Sequence, residues 1–376
     1  MKALANFKES SLRFFQSVDQ NLFLVLLSVV GFGVVQVYST SFIYATELIG
    51  DGLYFARRQF LFAFVALASF LFVNRLSLKW LEKSLPVIWT LLVLLLVLTF
   101  VPGIGHSAGG ASRWIAFPLG FRVEPAELVK VFFPLAFVSL WLKAEGSKPL
   151  GTWLKRILLV SPVVAFHFQP DFGSIAITVL VGLVLFALSG VSTKWLVALT
   201  TSAATLFYLL IINVPYRRAR LISFLNPWED PERSGFQVIQ SLAGFRAGGF
   251  WGVGIGESQA KLYFLPEAHT DFTLAVLGEE LGFVGFLLVL GVFAFLALYG
   301  FRKAYRQTDS RRSLWAYGLA SLFSLQVLIN VGVVLGALPT KGLTLPFLSY
   351  GGSSLLSMGI LFGLLSHPEL RRSRAY

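Results

Sequence analysis

PEAHTDFTLAVLGEELGFVGFLLVLGVFAFLALY, residues 266–299, decides how this chain is read. From Phe272 to Tyr299 it is apolar over more than the roughly 20 residues a helix needs to cross the hydrocarbon of a bilayer. Yet His269, Thr270 and Asp271 stand at its mouth, and Glu279 and Glu280 lie inside it. Ionisable groups within a membrane span are costly and need a partner or a task. The stretch therefore predicts a membrane helix that borders a polar site.

The rest of the chain agrees with that reading. Of its 376 residues 56% are hydrophobic and only 13% charged, and the mean hydropathy of +0.74 lies far outside soluble composition. The fold class expected is all-α, a polytopic integral membrane protein in one membrane domain spanning residues 1–376. About ten spans are read, near Asn21 to Tyr38, Gln59 to Val73, Leu85 to Val101, Leu128 to Trp141, Trp153 to Phe168, Ser174 to Leu188, Leu196 to Ile212, Phe272 to Tyr299, Leu314 to Leu335 and Leu355 to Leu365. The fifth and tenth are short for a crossing. The first follows a basic tail (Lys2, Lys8, Arg13) without a cleavage-site pattern, so it is expected to be retained.

Charge orients the spans. Basic residues recur at alternate connections: Arg75, Lys79 and Lys83; Lys143, Lys148, Lys155 and Arg156; Lys194; Arg302, Lys303, Arg306, Arg311 and Arg312; and the terminal Arg371, Arg372 and Arg374. The positive-inside rule makes that side, and with it both termini, cytoplasmic. It also accounts for the net charge of +12 without nucleic acid as a partner. The longest connection, 213–271, is then a large extracytoplasmic loop between the seventh and eighth spans, of a length more often functional than connective. Arg217, Arg218 and Arg220 break the rule by following the seventh span on the outer side; a local task explains them, or snorkelling to lipid phosphates.

Cysteine is absent, which excludes disulfides and thiolate chemistry, and the histidines have no zinc-binding spacing. The Gly-rich run GFRAGGFWGVGIG, 244–256, is too irregular for a Walker loop or a dinucleotide fingerprint. What remains is a set of ionisable residues converging on the outer side: Arg113, Glu124, Glu127, Lys130, Asp171, the arginine trio, Lys261, Glu267, His269, Asp271, Glu279, Glu280 and Lys341. Within it Asp271 is the candidate general base, a carboxylate in a partly desolvated setting, against the alternative that it merely caps the helix. Glu127 and Lys130, three apart on one helix face, read as a structural ion pair, and one of Glu279 and Glu280 is expected to pair inward with a cation such as Lys130.

Five ordered motifs resemble those of the SEDS family (shape, elongation, division and sporulation proteins): GGASRWIAFPLGFRVEPAELVK at 109–130, QPDFGS at 169–174, GFQVIQSLAGFRAGGFWGVGIGESQAKLYFLPEAHTDF at 235–272, EELG at 279–282 and LPTKGLTLPFLSYGGSSL at 338–355. The last motif and the Pro-Glu-Ala-His-Thr-Asp form are more similar to the division branch (FtsW-type) than to the elongation branch (RodA-type). Two positions depart from the pattern: Glu124 stands where glutamine is common and Gly109 where asparagine is common.

The resemblance implies a peptidoglycan glycosyltransferase that polymerises lipid II into glycan strands at the outer face of the bacterial cytoplasmic membrane and releases polyprenyl diphosphate. It implies a class B penicillin-binding protein (a transpeptidase) and other division or elongation complex proteins as partners. The family's essential aspartate falls on Asp271 and the lysine of its Pro-Thr-Lys-Gly motif on Lys341. Polymerisation needs a base for the acceptor hydroxyl, assigned to Asp271. The leaving diphosphate needs cations, for which Arg217, Arg218, Arg220, Lys261 and Lys341 are the candidates; Arg113 is a further substrate-binding candidate, with His269 and Glu267 as orienting groups. A divalent cation, magnesium or manganese, is compatible with such a substrate. The competing classes are a lipid II flippase, which would place its polar groups near the midplane and often shows related halves, and a scaffold of the division complex.

Overall fold

The computed structural model describes residues 19–108, 110–117, 120–142, 149–213, 218, 224–231, 235–265, 267–340 and 342–370. Ten helices coincide with the ten apolar runs: α1 (Gln20–Ile49), α2 (Tyr54–Val73), α3 (Leu78–Leu98), α4 (Pro125–Ala136, continued by a π turn Phe137–Trp141), α5 (Pro149–Phe168), α6 (Phe172–Leu188), α7 (Thr193–Ile212), α9 (Thr273–Tyr305), α10 (Ser310–Val334) and α11 (Gly352–Leu365). An additional helix, α8 (Phe236–Gly248), lies in the long loop. Five of them (α1, α2, α3, α9 and α10) are long and apolar enough to cross a membrane, and α6 and α11 are shorter apolar helices. The fold is an all-α polytopic membrane fold.

Two expectations are adjusted. The fifth helix is not short: it covers 20 residues and carries Pro162 within it, whereas α11 keeps only 14. Secondly, the loop after α3 holds a small antiparallel sheet of β1 (Gly105–Ala108), β2 (Ala111–Ala116) and β3 (Arg122–Val123) in that order. Alternation there is too short to read against the surrounding apolar runs.

Helices pack by close approach of small residues, as membrane bundles do. On α11, Gly363 faces the α2 backbone so tightly that a Cβ would lie 2.9 Å from the Phe70 carbonyl oxygen. Beside it the Asn74 amide donates to the carbonyls of Phe70 at 3.0 Å and Gly363 at 3.2 Å and to Ser366 Oγ at 3.0 Å. These bonds satisfy a buried polar group and fix the register of α2 against α11.

The long loop is not a surface excursion. α9 breaks at Gly282, whose φ of 66° and ψ of −167° are open to glycine alone. The Gly-rich segment after α8 runs into that break: Val253 and Gly254 donate backbone N–H groups to the carbonyls of Glu279 and Glu280, each at 3.0 Å, while Phe283 and Val284 donate to the carbonyls of Gly249 at 2.9 Å and Phe250 at 3.2 Å. A Cβ on Gly282 would collide with the Gly252 backbone nitrogen. The glycines of 244–256 thus serve backbone-to-backbone contact, which meets the hydrogen bonds the broken helix has lost.

The chain turns at one end of the bundle between α1 and α2, before α4, between α5 and α6, before α9 and before α11. Those five junctions enclose the polar residues lining the cavity, and Glu82, Arg312 and Glu369 meet at the other end.

Candidate active site

A cavity of about 960 Å³ opens among these junctions, lined by Arg113, Glu124, Asp171, His269, Asp271 and Tyr350 among others. Its floor is built by hydrogen bonds between segments distant in sequence. Asn330, buried in α10, donates to the backbone carbonyls of Asp271 at 3.0 Å and Leu343 at 2.8 Å. Tyr350 N donates to the His269 carbonyl at 2.9 Å, and Ser349 Oγ donates to the Thr270 carbonyl. The Gln59 amide in α2 donates to the Ser349 carbonyl at 3.1 Å. The turn that presents Asp271 is thereby pinned from α2, from α10 and from the segment before α11.

Asp271 itself does not cap α9. The helix begins at Thr273 with Phe272 as its N-cap residue and no side-chain cap bond. Instead the carboxylate turns to the cavity: a Cβ on Gly342 would stand 3.4 Å from Asp271 Oδ2 and 3.7 Å from Arg113 Nη1. A carboxylate and a guanidinium thus flank one small space. Arg113 is aimed by its bonds to the carbonyls of Gln169 at 3.3 Å and Pro170 at 2.6 Å, which leave Nη1 directed at that space.

Glu267 and His269 shape the turn. Glu267 adopts φ 58°, a left-handed conformation costly for a non-glycine residue, and accepts from Thr270 Oγ1 at 2.7 Å. The His269 ring packs against Phe55, Tyr44 and Tyr350 at centroid distances of 5.0, 5.2 and 6.1 Å. Burial among those rings pushes its pKa down, so the imidazole is neutral at working pH.

The other charged residues divide. Lys130 bonds Glu127 at 2.7 Å, the ion pair read from the sequence, and Ser357 Oγ adds a donor to Glu127 at 3.4 Å. Lys130 is therefore not the partner of the α9 glutamates. Glu280 accepts from Lys261 Nζ at 3.1 Å, from Ser39 Oγ at 2.5 Å and from Gly256 N at 3.0 Å. Glu279 accepts from Gln259 N at 2.9 Å, Ala260 N at 3.1 Å and Ser258 Oγ. Lys261 sits in a π turn, Ala260–Phe264, buried in this cluster and not among the residues lining the cavity. That corrects its reading as a diphosphate ligand: Glu280 draws the ammonium inward. Arg218 is exposed, and Arg217, Arg220 and Lys341 lie outside the described residues.

Sequence reasoning passed over Asn330, Gln59, Ser349 and the ring cage around His269. Polar residues inside apolar runs, as Asn330 and Gln59 are, were the available signal. As to a metal, no group of three or more His, Asp or Glu side chains is arranged to hold one among the described residues.

Comparison with known proteins follows the same outline. The family model for FtsW/RodA/SpoVE, described as cell cycle protein, matches residues 19–373. The probable peptidoglycan glycosyltransferase FtsW of Geobacter metallireducens is 40% identical over 97% of this chain and 98% of its own. Stage V sporulation protein E of Bacillus subtilis is 36% identical over 93% of this chain and 96% of its own. Among solved structures, a chain from work on the structural coordination of polymerization and crosslinking by a peptidoglycan synthase complex superposes with a TM-score of 0.74 at 28% identity, covering 95% of this chain and 99% of that one. The rod shape determining protein RodA of Thermus thermophilus shares the fold, with a TM-score of 0.67 at 24% identity over 96% of this chain and 98% of its own.

Proposed function

The chain belongs to the FtsW/RodA/SpoVE family of cell cycle proteins, and from that premise we infer a peptidoglycan glycosyltransferase that polymerises lipid II at the outer face of the cytoplasmic membrane. The observation that supports a chemical site is that the Asp271 carboxylate and the Arg113 guanidinium flank one space beside Gly342, in a cavity large enough for a saccharide. Asp271 takes the proton of the acceptor hydroxyl as it attacks the anomeric carbon, and a base within reach of that proton is what the step requires. Arg113 meets negative charge as the diphosphate departs. Lys341, Arg217 and Arg220 are further candidates for the same task.

Orientation follows from charge. The positive-inside rule, applied to the basic connections of the sequence, supports an outward-facing cavity and cytoplasmic termini. Gathering of charged groups at one end, rather than at the midplane, favours an enzyme over a transporter. A class B penicillin-binding protein is the partner proposed, in line with the synthase complex to which one similar chain belongs. A divalent cation bound through the substrate diphosphate is a further proposal, tested by chelation.

The deciding experiment incubates purified protein with lipid II, with and without magnesium or manganese, and resolves the products by size. Polymer from the wild type and none from a folded Asp271→Asn variant is the expected result. Polymer from both removes Asp271 as the base, and polymer from neither, with the partner present, removes the glycosyltransferase.

A further inference from the structure

The cavity contains a carboxyl group to which the polymerisation scheme gives no task. Glu124 precedes α4 as its N-cap residue but makes no side-chain cap bond; its backbone N–H donates to Ser353 Oγ at 2.8 Å, which holds the residue against the start of α11. The side chain lines the cavity together with Asp271. Among the described residues no hydrogen-bond partner is found for it. Its acidic neighbours differ in that respect: Glu127 has Lys130 and Ser357, and Asp171 accepts from Ser174 N at 3.1 Å as the cap of α6.

We propose that Glu124 is a substrate-facing hydrogen-bond donor of this cavity, working as a neutral carboxylic acid, and that its ionisation weakens turnover. The inference rests on the glycosyltransferase reading, because the ligand it would meet is the anionic, diphosphate-linked saccharide. A neutral acid donates to an oxygen of such a substrate; a carboxylate cannot donate and adds negative charge beside it.

Electrostatics agree. Burial, and then the charges of Glu127 and Asp171, push the Glu124 carboxyl up to about 8, against the opposing pull of Lys130 and Arg113. From the other walls of the cavity come Arg58 of α2 and Arg122 of β3. Arg58 is engaged with the Gly120 carbonyl at 3.0 Å. The turn before α9 contributes Glu267, His269 and Asp271, and the segment before α11 contributes Tyr350. Burial moves His269 down and Tyr350 up, so neither changes charge where Glu124 does. The sign follows: below about 8 Glu124 keeps its proton and donates, and as pH rises through that value the donor is lost.

The test measures lipid II polymerisation by wild type, Glu124→Gln and Glu124→Ala across pH, together with infrared difference spectra of wild type against Glu124→Gln. Wild-type activity is expected to drop roughly tenfold between about pH 7 and about pH 9. Glu124→Gln, which keeps a donor without a titrating proton, is expected to flatten that drop, and Glu124→Ala to be weak throughout. The carbonyl stretch of a protonated acid, present in wild type near neutrality and missing from Glu124→Gln, would report the neutral form without reference to turnover. Superimposable pH profiles for wild type and Glu124→Gln, or no such stretch, overturn the proposal. A titrating stretch in a wild type that makes no polymer at any pH, with partner and metal supplied, overturns the glycosyltransferase reading and the donor role with it.

Discussion

Two groups of carboxylates stand in this molecule, one buried and one half-buried, and they are treated in opposite ways. At the break in α9, Glu279 and Glu280 each accept three bonds from donors of the returning loop and of α1. At the cavity, Glu124 has no donor for its carboxyl among the described residues, and Asp271 is turned towards a space shared with a guanidinium. A carboxylate surrounded by donors is held in one charge state and one place, which suits architecture. One that faces a cavity retains capacity for a substrate or a proton, which suits chemistry. Glu279 and Glu280 are buried and Glu124 and Asp271 half-buried at the cavity wall, so access to the cavity separates the two.

The most severe test of that division is Asp271→Asn, expected to lower polymerisation by at least about 10²-fold while leaving unfolding unchanged. A stability loss instead would move Asp271 into the architectural group. Next is Glu280→Ala, which leaves the Lys261 ammonium buried without its counter-charge and is expected to cost about 3–5 kcal/mol, read by thermal unfolding in detergent. Removing Lys261 as well should cost less than the two single changes together; strict additivity would mean that the pair is not coupled. Gly282→Ala is predicted to destabilise by about 1–3 kcal/mol, because alanine resists φ 66° and would meet the Gly252 backbone. The smallest effect belongs to an exposed carboxylate outside both groups. Asp309, the N-cap of α10, accepts from Arg311 N at 2.8 Å, and its replacement by alanine is expected to cost about 1 kcal/mol with polymerisation unaffected.

How much of this was legible in the sequence depends on the range of the interaction. The ten helices are visible because apolar runs are local, and the pairing of Glu127 with Lys130 because three residues make one helical turn. The partner of Glu280 was not, since Lys261 lies 19 positions away and reaches it only after the loop has doubled back. Helix α8 is not announced by the sequence, because QVIQSLAGFRAG mixes polar and apolar residues without the long run that marks a span. The break at Gly282 is hidden in the same way: LGEELGFVG is compatible with a continuous helix, and only the trans bonds from Gly249 to Gly254 make the broken form the better one. Asp271 stands out in the sequence as the candidate base, but what pins its turn, Asn330 from α10, does not.

The break in α9 also sets an order of assembly. In hydrocarbon each unpaired backbone group costs several kcal/mol, so the interrupted form of this helix exists only while the loop strand is present to receive its N–H and C=O groups. Because residues 249–254 leave the ribosome before Gly282, they have to wait, unpaired, for the helix that will accept them. α9 would therefore enter the bilayer as an unbroken rod, and the loop would be stitched into it afterwards. The turn bearing Asp271 sits directly at the head of that rod, so this wall of the cavity would be finished by one of the last steps of biogenesis, and a chain that inserts but fails to stitch would be membrane-embedded with its cavity incomplete.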